Sequence, residues 1–164
     1  MHHIIVIAHN VRSTHNVGSL LRTAEGLGVQ KMYLTGYTPY PLSTSDDRLP
    51  HIAEKLDAQI HKTALDAEKL IEWEHVEDII SVLASLKDEG YTIAAIEQSQ
   101  QSIKLPDYTA PTKLALIVGR EVEGIELEVL NVVDAILEIP MFGKKESFNV
   151  VQAAAMALYH CRFL

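Results

Sequence analysis

In the segment IPMFGKKESFNVVQAAAMALYHCRFL, residues 139–164, Ser147 and Asn149 bracket Phe148 at the mouth of an apolar helical run. Gly143, Lys144 and Lys145 stand just before them. A helix start needs one side-chain oxygen as its cap, and either Ser147 or Asn149 would serve. The remaining hydroxyl, amide and ammonium groups suit a polar ligand held near free helix N–H groups.

A second stretch, AHNVRSTHNVGSLLRTAEGLG (8–28), puts Asn16 where it caps a helix beginning near Val17 or Gly18. Gly18 lets the backbone approach something closely. Arg22, one to two turns further on, offers a planar fork of donors matched to a phosphate. In a third stretch, LIVGREVEGI (116–125), Gly119 follows an apolar run and leaves backbone amides unshielded. Glu121 sits in the turn and Gly124 permits a second sharp change of direction. Taken singly, each stretch also reads as an ordinary capped turn with surface charges.

The elements that must position these groups follow from hydrophobic periodicity. Short apolar runs at 3–8, 31–36, 91–97, 113–119 and 135–140 predict five strands. Helical spacing appears after Ser19 with Gly28 as its stop, over 75–90 with a stripe of Val76, Ile79, Ile80, Leu83 and Leu86, and from Asn149 onward. Residues 51–70 read as short polar helical pieces, and 37–50 as a loop rich in Pro, Ser, Thr and Asp. Strands alternating with helices predict an α/β fold, a mostly parallel sheet with helices on both faces, in one domain over 1–164. In such sheets ligands bind beyond the carboxyl ends of the strands, where all three polar stretches fall.

Composition narrows the functional classes. The chain has 164 residues, 48% of them apolar, enough for a folded core. No run of about 18 apolar residues predicts a membrane span. A single cysteine, Cys161, has no partner for an internal disulfide and suits a reducing cytoplasm. No His/Cys cluster has metal-ligand spacing, and neither a Walker loop nor G-x-G-x-x-G occurs. The net charge of −8 argues against nucleic acid until its distribution is examined. Residues 46–138 carry 20 acidic and 8 basic groups, whereas the flanks carry 6 basic and 2 acidic. Positive potential is thus local to the two flanks, and local potential decides where a phosphate sits. Arg12, His15, Lys144 and Lys145 are the candidates for contact with a phosphate backbone; as plain solvated surface they would need no partner.

Together, N-V-G-S-L-L-R-T-A-E-G-L-G, I-V-G-R-E-V-E-G-I and I-P-M-F-G-K-K-E-S-F-N-V-V-Q-A-A-A resemble the SpoU-like branch of the SPOUT superfamily, which methylates RNA ribose 2′-hydroxyls. The likeness covers nearly the whole chain. Phe148 stands where leucine or methionine is more usual, and Val151 where serine is frequent. The resemblance implies a C-terminal trefoil knot and an S-adenosylmethionine pocket walled by 116–125 and 139–149. It implies cofactor contacts at Gly119, Ile139, Met141 and Phe148, and catalytic roles for Arg22, Asn16, Glu121, Ser147 and Asn149. It also implies a homodimer in which Arg22 of one subunit reaches the other's pocket. Val150, Ala153, Ala154, Ala157, Leu158 and Cys161 then form either a dimer interface or ordinary core. With no accessory RNA-binding domain expected, transfer RNA is the favoured substrate and ribosomal RNA the alternative. A catalytically silent RNA-binding module, or an unknotted flavodoxin-like binder of a small ligand, are the readings from other classes.

Overall fold

Apolar β-branched residues dominate the strands, and their alternation decides which side of the sheet each faces. The computed structural model describes residues 2–164. Its strands are β1 (His3–His9), β2 (Lys31–Thr35), β3 (Glu72–Val76), β4 (Thr92–Ile96), β5 (Ile103–Lys104), β6 (Lys113–Val118) and β7 (Ala135–Glu138). They form one sheet in the order β3-β2-β1-β6-β4-β7-β5, and every strand pairing is parallel. The helices are α1 (Thr14–Gly26), α2 (Pro50–Ala64), α3 (Ala67–Leu70), α4 (Ile79–Asp88), α5 (Leu127–Leu130) and α6 (Val150–Phe163).

Two cores result from the period of two. Ile4, Val6 and Ala8 of β1 point to the face covered by α1, α2 and α6. Ile5 and Ile7 point to the face covered by α4 and α5. On α1, Val17, Leu20, Leu21 and Ala24 are buried. Each large aliphatic buried there contributes about 1.5–3 kcal/mol relative to exposure. Among the described residues no helix is long and apolar enough to cross a membrane.

Several boundaries differ from the sequence-based expectation. The first helix starts at Thr14, because the Ser13 hydroxyl accepts from the Asn16 N–H and caps it. Asn16 therefore lies in the first turn, and its side chain is free for other partners. Residues 50–64 form one helix rather than short pieces. Its buried seam is narrow, Ala53, Ile60 and Ala64, so little hydrophobic signal marks it. Gly18 does accept a close approach, but from α2: a Cβ there would run into the Ile60 carbonyl and the Thr63 hydroxyl.

The helix expected over 75–90 is a strand end followed by a shorter helix. Val76 closes β3, Asp78 caps α4 by accepting from the Ile80 N–H, and Ile80 faces outward. β3 escapes detection because EWEHV is an edge strand whose Glu72 and Glu74 point to Lys31 on β2. The apolar stripe of the last helix resolves to core. Val150, Ala154, Ala157, Leu158 and Cys161 are buried in this chain's own core, and Ala153 is half-buried at the cavity wall.

Candidate active site

The buried strands β6, β4 and β7 deliver their carboxyl ends to one edge of the sheet, and the polar loops gather there. After β6, the 119–126 segment folds tightly on itself. Arg120 and Gly124 form an antiparallel bridge, and the Arg120 Nε donates to the Gly124 carbonyl at 3.0 Å. Gly124 has φ +70°, and a Cβ there would also strike the Glu97 carboxylate. Gly119 has no room for a Cβ either, because Ile125 and Gly124 close over it.

Glu97, the first residue beyond β4, is the organiser of this loop. Its Oε2 accepts from the Ile125 N–H at 3.0 Å and its Oε1 from the Gln98 N–H at 2.8 Å. Sequence reasoning passed over Glu97. The available signal was a carboxylate placed at the carboxyl end of an otherwise apolar strand, where ligands collect.

Glu121 reaches from this loop to the start of α1. Its Oε1 accepts from the Ser13 N–H at 3.2 Å and from the Asn16 side-chain amide at 3.1 Å, and its Oε2 from the Arg12 N–H at 3.3 Å. A carboxylate at a helix N-terminus satisfies donors that the helix leaves free. Burial pushes the Glu121 carboxyl up, but the hydrogen bonds from Asn16 and from backbone N–H groups, Ser13 and Arg12 included, outweigh it. Its pKa lies below the ordinary glutamate value.

Asn149 caps α6, its Oδ1 accepting from the Val151 N–H at 2.9 Å. Its side-chain nitrogen donates to the Asn16 Oδ1 at 3.4 Å. Asn149, Asn16 and Glu121 therefore form one hydrogen-bonded chain joining the three polar stretches. Asn16 serves as the middle link rather than as a cap.

Beside this chain lies a cavity of about 250 Å³. Gly119, Glu121, Ile139, Met141, Ser147 and Phe148 all line it. Ile96, Val118, Leu137 and Ala153 add apolar wall, while Glu97, Gln98 and Glu146 add polar groups. Gln98 fixes the far rim by donating to the Glu146 carbonyl at 2.7 Å. An apolar slot with a polar rim fits a nucleoside carrying a charged tail.

The structure does not bring every candidate here. Arg22 is exposed on α1, makes no side-chain hydrogen bond among the described residues and does not line the cavity. His15 is exposed on α1 two turns before Arg22. Arg12 is also exposed, its guanidinium 4.0 Å from Glu123. Lys144 and Lys145 stand exposed on the 139–149 segment. Elsewhere, His61, Asp66 and Glu68, distant in spacing from any metal motif, converge with ligand atoms within 4.8 Å of one another. His61 bonds to Glu68 at 2.6 Å and Lys69 to Asp66 at 2.6 Å, so all three groups already have partners within the protein.

The SpoU rRNA Methylase family matches residues 3–159. A tRNA (guanosine(18)-2′-O)-methyltransferase of Aquifex aeolicus is 30% identical over 161 residues, 97% of this chain and 68% of that protein. The Escherichia coli K12 protein of the same name is 28% identical over 161 residues, 97% of this chain and 62% of its own length. Among solved structures, the A. aeolicus TrmH/SpoU tRNA modifying enzyme superposes with a TM-score of 0.80 at 24% identity, covering 99% of this chain and 75% of that one. A structure described for 2-OH methylation of C/U34 on tRNA gives 0.79 at 22% identity, covering 98% of this chain and 94% of that one. The family match runs from the first strand to Tyr159 in the third turn of α6 and takes in all three polar stretches, so the chain belongs to the SpoU rRNA Methylase family.

Proposed function

We propose that this protein transfers a methyl group from S-adenosylmethionine to a ribose 2′-hydroxyl of transfer RNA. The observation that carries the reading is the Asn149–Asn16–Glu121 chain, which draws three separated loops to one edge of the sheet beside an apolar cavity. The names of the Aquifex and Escherichia relatives support the substrate class. When bound, S-adenosylmethionine supplies a methyl carbon activated by its positive sulfur. Gly119, Ile139, Met141 and Phe148 would hold it, with adenine against the apolar walls and polar groups at the rim.

The poor partner in such a displacement is the hydroxyl, a weak acid that has to be positioned and stabilised as it loses its proton. Alignment alone accounts for roughly 7–11 kcal/mol in well-aligned reactions. A guanidinium is a poor base, so the part of Arg22 is to hold the adjoining phosphate and stabilise the developing alkoxide by charge. Because Arg22 is outside its own chain's cavity, this role calls for a homodimer in which Arg22 of a second copy reaches it. Asn16, Glu121 and Asn149 hold the loops in place, and Ser147 orients the substrate or a water. Arg12, His15, Lys144 and Lys145 meet the RNA backbone.

The reading includes threading of the carboxyl-terminal segment through the 119–126 loop as a trefoil knot. It is supported by β7 lying beyond β4 from β6, with both following loops walling one cavity. Residues 1–164 would act as one catalytic domain, in the reducing cytoplasm that suits the buried thiol of Cys161.

Incubation with tritiated S-adenosylmethionine and bulk transfer RNA, followed by mapping of the labelled nucleotide, is the test. Label on a ribose 2′-oxygen is the expected result, and its position separates guanosine 18 from nucleotide 34. No label on transfer RNA but label on ribosomal RNA selects the alternative substrate. Label on neither, with no affinity for S-adenosylmethionine, overturns the reading.

A further inference from the structure

A second concavity opens at the carboxyl ends of β1, β2 and β3, across the start of α1 from the cofactor cavity. Its volume is about 510 Å³, and Arg12, Thr14, Tyr37, Tyr40, His75 and Glu77 contribute to its lining. We infer that this groove is a nucleobase subsite for the RNA substrate, with the Tyr37 ring as its stacking platform. The inference rests on the methyltransferase reading above, since it assigns the base to a place separate from the reacting ribose.

The groove is built in advance. Arg48 donates to the Tyr40 carbonyl at 2.9 Å, to the Pro41 carbonyl at 2.9 Å, and to the Asp46 carboxylate. Its guanidinium carbon lies 3.6 Å from the Tyr40 ring centroid, and the His75 ring stacks on Tyr40 at 4.0 Å. Two groups that close cannot share one face, so Tyr40 is sandwiched and has no face left for a ligand. His75 is anchored in turn by its Nε2, 3.0 Å from the Gly36 carbonyl oxygen. The 37–49 loop therefore keeps its shape without a ligand.

Tyr37 differs from Tyr40. It is 56% exposed and takes part in none of these stacks. Its backbone is nevertheless fixed, because the Tyr37 N–H donates to the Asn10 Oδ1 at 3.0 Å. Asn10 occupies the left-handed region at φ 54°. Its side-chain nitrogen donates to Glu126 at 2.8 Å, at the end of the cofactor loop. Gly36 keeps this arrangement possible, since a Cβ there would collide with the Asn10 side chain. One strained residue thus ties the loop that walls the cofactor cavity to the loop that presents the free ring.

The chemistry of the lining selects a base over a phosphate. Glu77 accepts and never donates when ionised, so it repels phosphate and suits a base edge bearing N–H groups. Arg12, at the rim and 68% exposed, can meet the phosphate that follows. An exposed ring on a fixed backbone is the element that single-stranded RNA recognition uses, because each base has a face to stack.

The test measures the affinity of the full chain for fluorescent bulk transfer RNA, with calorimetric titration of S-adenosylmethionine in parallel. Tyr37→Ala is expected to weaken RNA binding about tenfold or more, the size of one lost base–aromatic stack. Tyr37→Phe, which keeps the ring, is expected to bind within about twofold of wild type, and both variants should keep wild-type cofactor affinity. If wild type methylates RNA and Tyr37→Ala binds it equally well, the subsite is overturned while the methyltransferase reading stands. Equal weakening by Tyr37→Phe, or a parallel loss of cofactor affinity, also overturns it. Wild-type protein that neither binds nor labels RNA overturns both.

Discussion

The side-chain nitrogen of Asn16 lies 3.1 Å from Oε1 of Glu121, and this bond ties the first turn of α1 to the loop that follows β6. Without it, Glu121 keeps only backbone donors and the loop loses its side-chain bond to α1. Asn16→Ala should weaken S-adenosylmethionine binding about tenfold, the scale of one hydrogen bond to a charged group. Asn16→Asp should be worse, because it sets two carboxylates against each other. Calorimetric titration of both variants decides the order.

Arg22 should separate binding from turnover. Arg22→Ala is expected to lower kcat by about 10²–10³ while leaving the cofactor Kd within about twofold. Arg22→Lys should recover little, since an ammonium does not reproduce the planar fork. Equal losses in turnover and in titration would remove Arg22 from the chemistry.

Glu121 also sets a pH dependence. Its folded pKa lies below the unfolded value, so the unfolded chain binds the proton more readily. The stabilisation is complete above the ordinary glutamate pKa of about 4.3 and fades as pH falls through the lower folded value. Glu126 shifts the same way: burial raises it, and backbone, Asn10 and His9 contacts more than offset that. Urea unfolding of Glu121→Gln should lose less stability between neutral and acidic pH than wild type. Parallel slopes would mean that its carboxylate contributes nothing to the folded state.

Two glycines of α1 make a controlled pair. Gly18→Ala drives a methyl into the α2 backbone and should cost about 1–3 kcal/mol. Gly26→Ala meets nothing within 4 Å and should be neutral or stabilise by about 0.5–1 kcal/mol. Thermal melts of the two variants should move in opposite directions, or at least differ by several degrees.

Glu97 should prove as important to the cavity as the residues that line it more obviously. Glu97→Ala frees the Ile125 N–H and removes the wall that Gly124 rests against. A loss of about tenfold in S-adenosylmethionine affinity is expected, with RNA affinity reduced less. Unchanged cofactor affinity would show that the loop holds its shape by other bonds.

Buried residues in this chain announce themselves, and half-exposed ones do not. β1, β4, β6 and β7 were legible from apolar runs, because both faces of a parallel sheet are covered. β3 was not, because Trp73 and the two glutamates beside it carry no period that outweighs the helix following it. The start of α1 was misplaced because Ser13 and Asn16 are equally good caps on paper, and only the partner waiting in Glu121 separates them. Asn149 as the cap of α6 was readable, whereas its reach to Asn16 spans 133 residues and has no local signature. For the last helix, small apolar residues suit a core and an interface alike, and spacing alone does not choose between them.

The interior strand β1 has neighbours of very different origin. Its partner β2 follows within the next thirty-five residues, but on its other side His3 pairs with Lys113 and Ala8 with Val118. During synthesis one edge of β1 stays open until β6 has emerged, and such an edge invites pairing with other chains. Long-range parallel pairing of this kind is slow to close. Refolding from denaturant should therefore yield less native protein as concentration rises, well before the native state itself shows any tendency to precipitate.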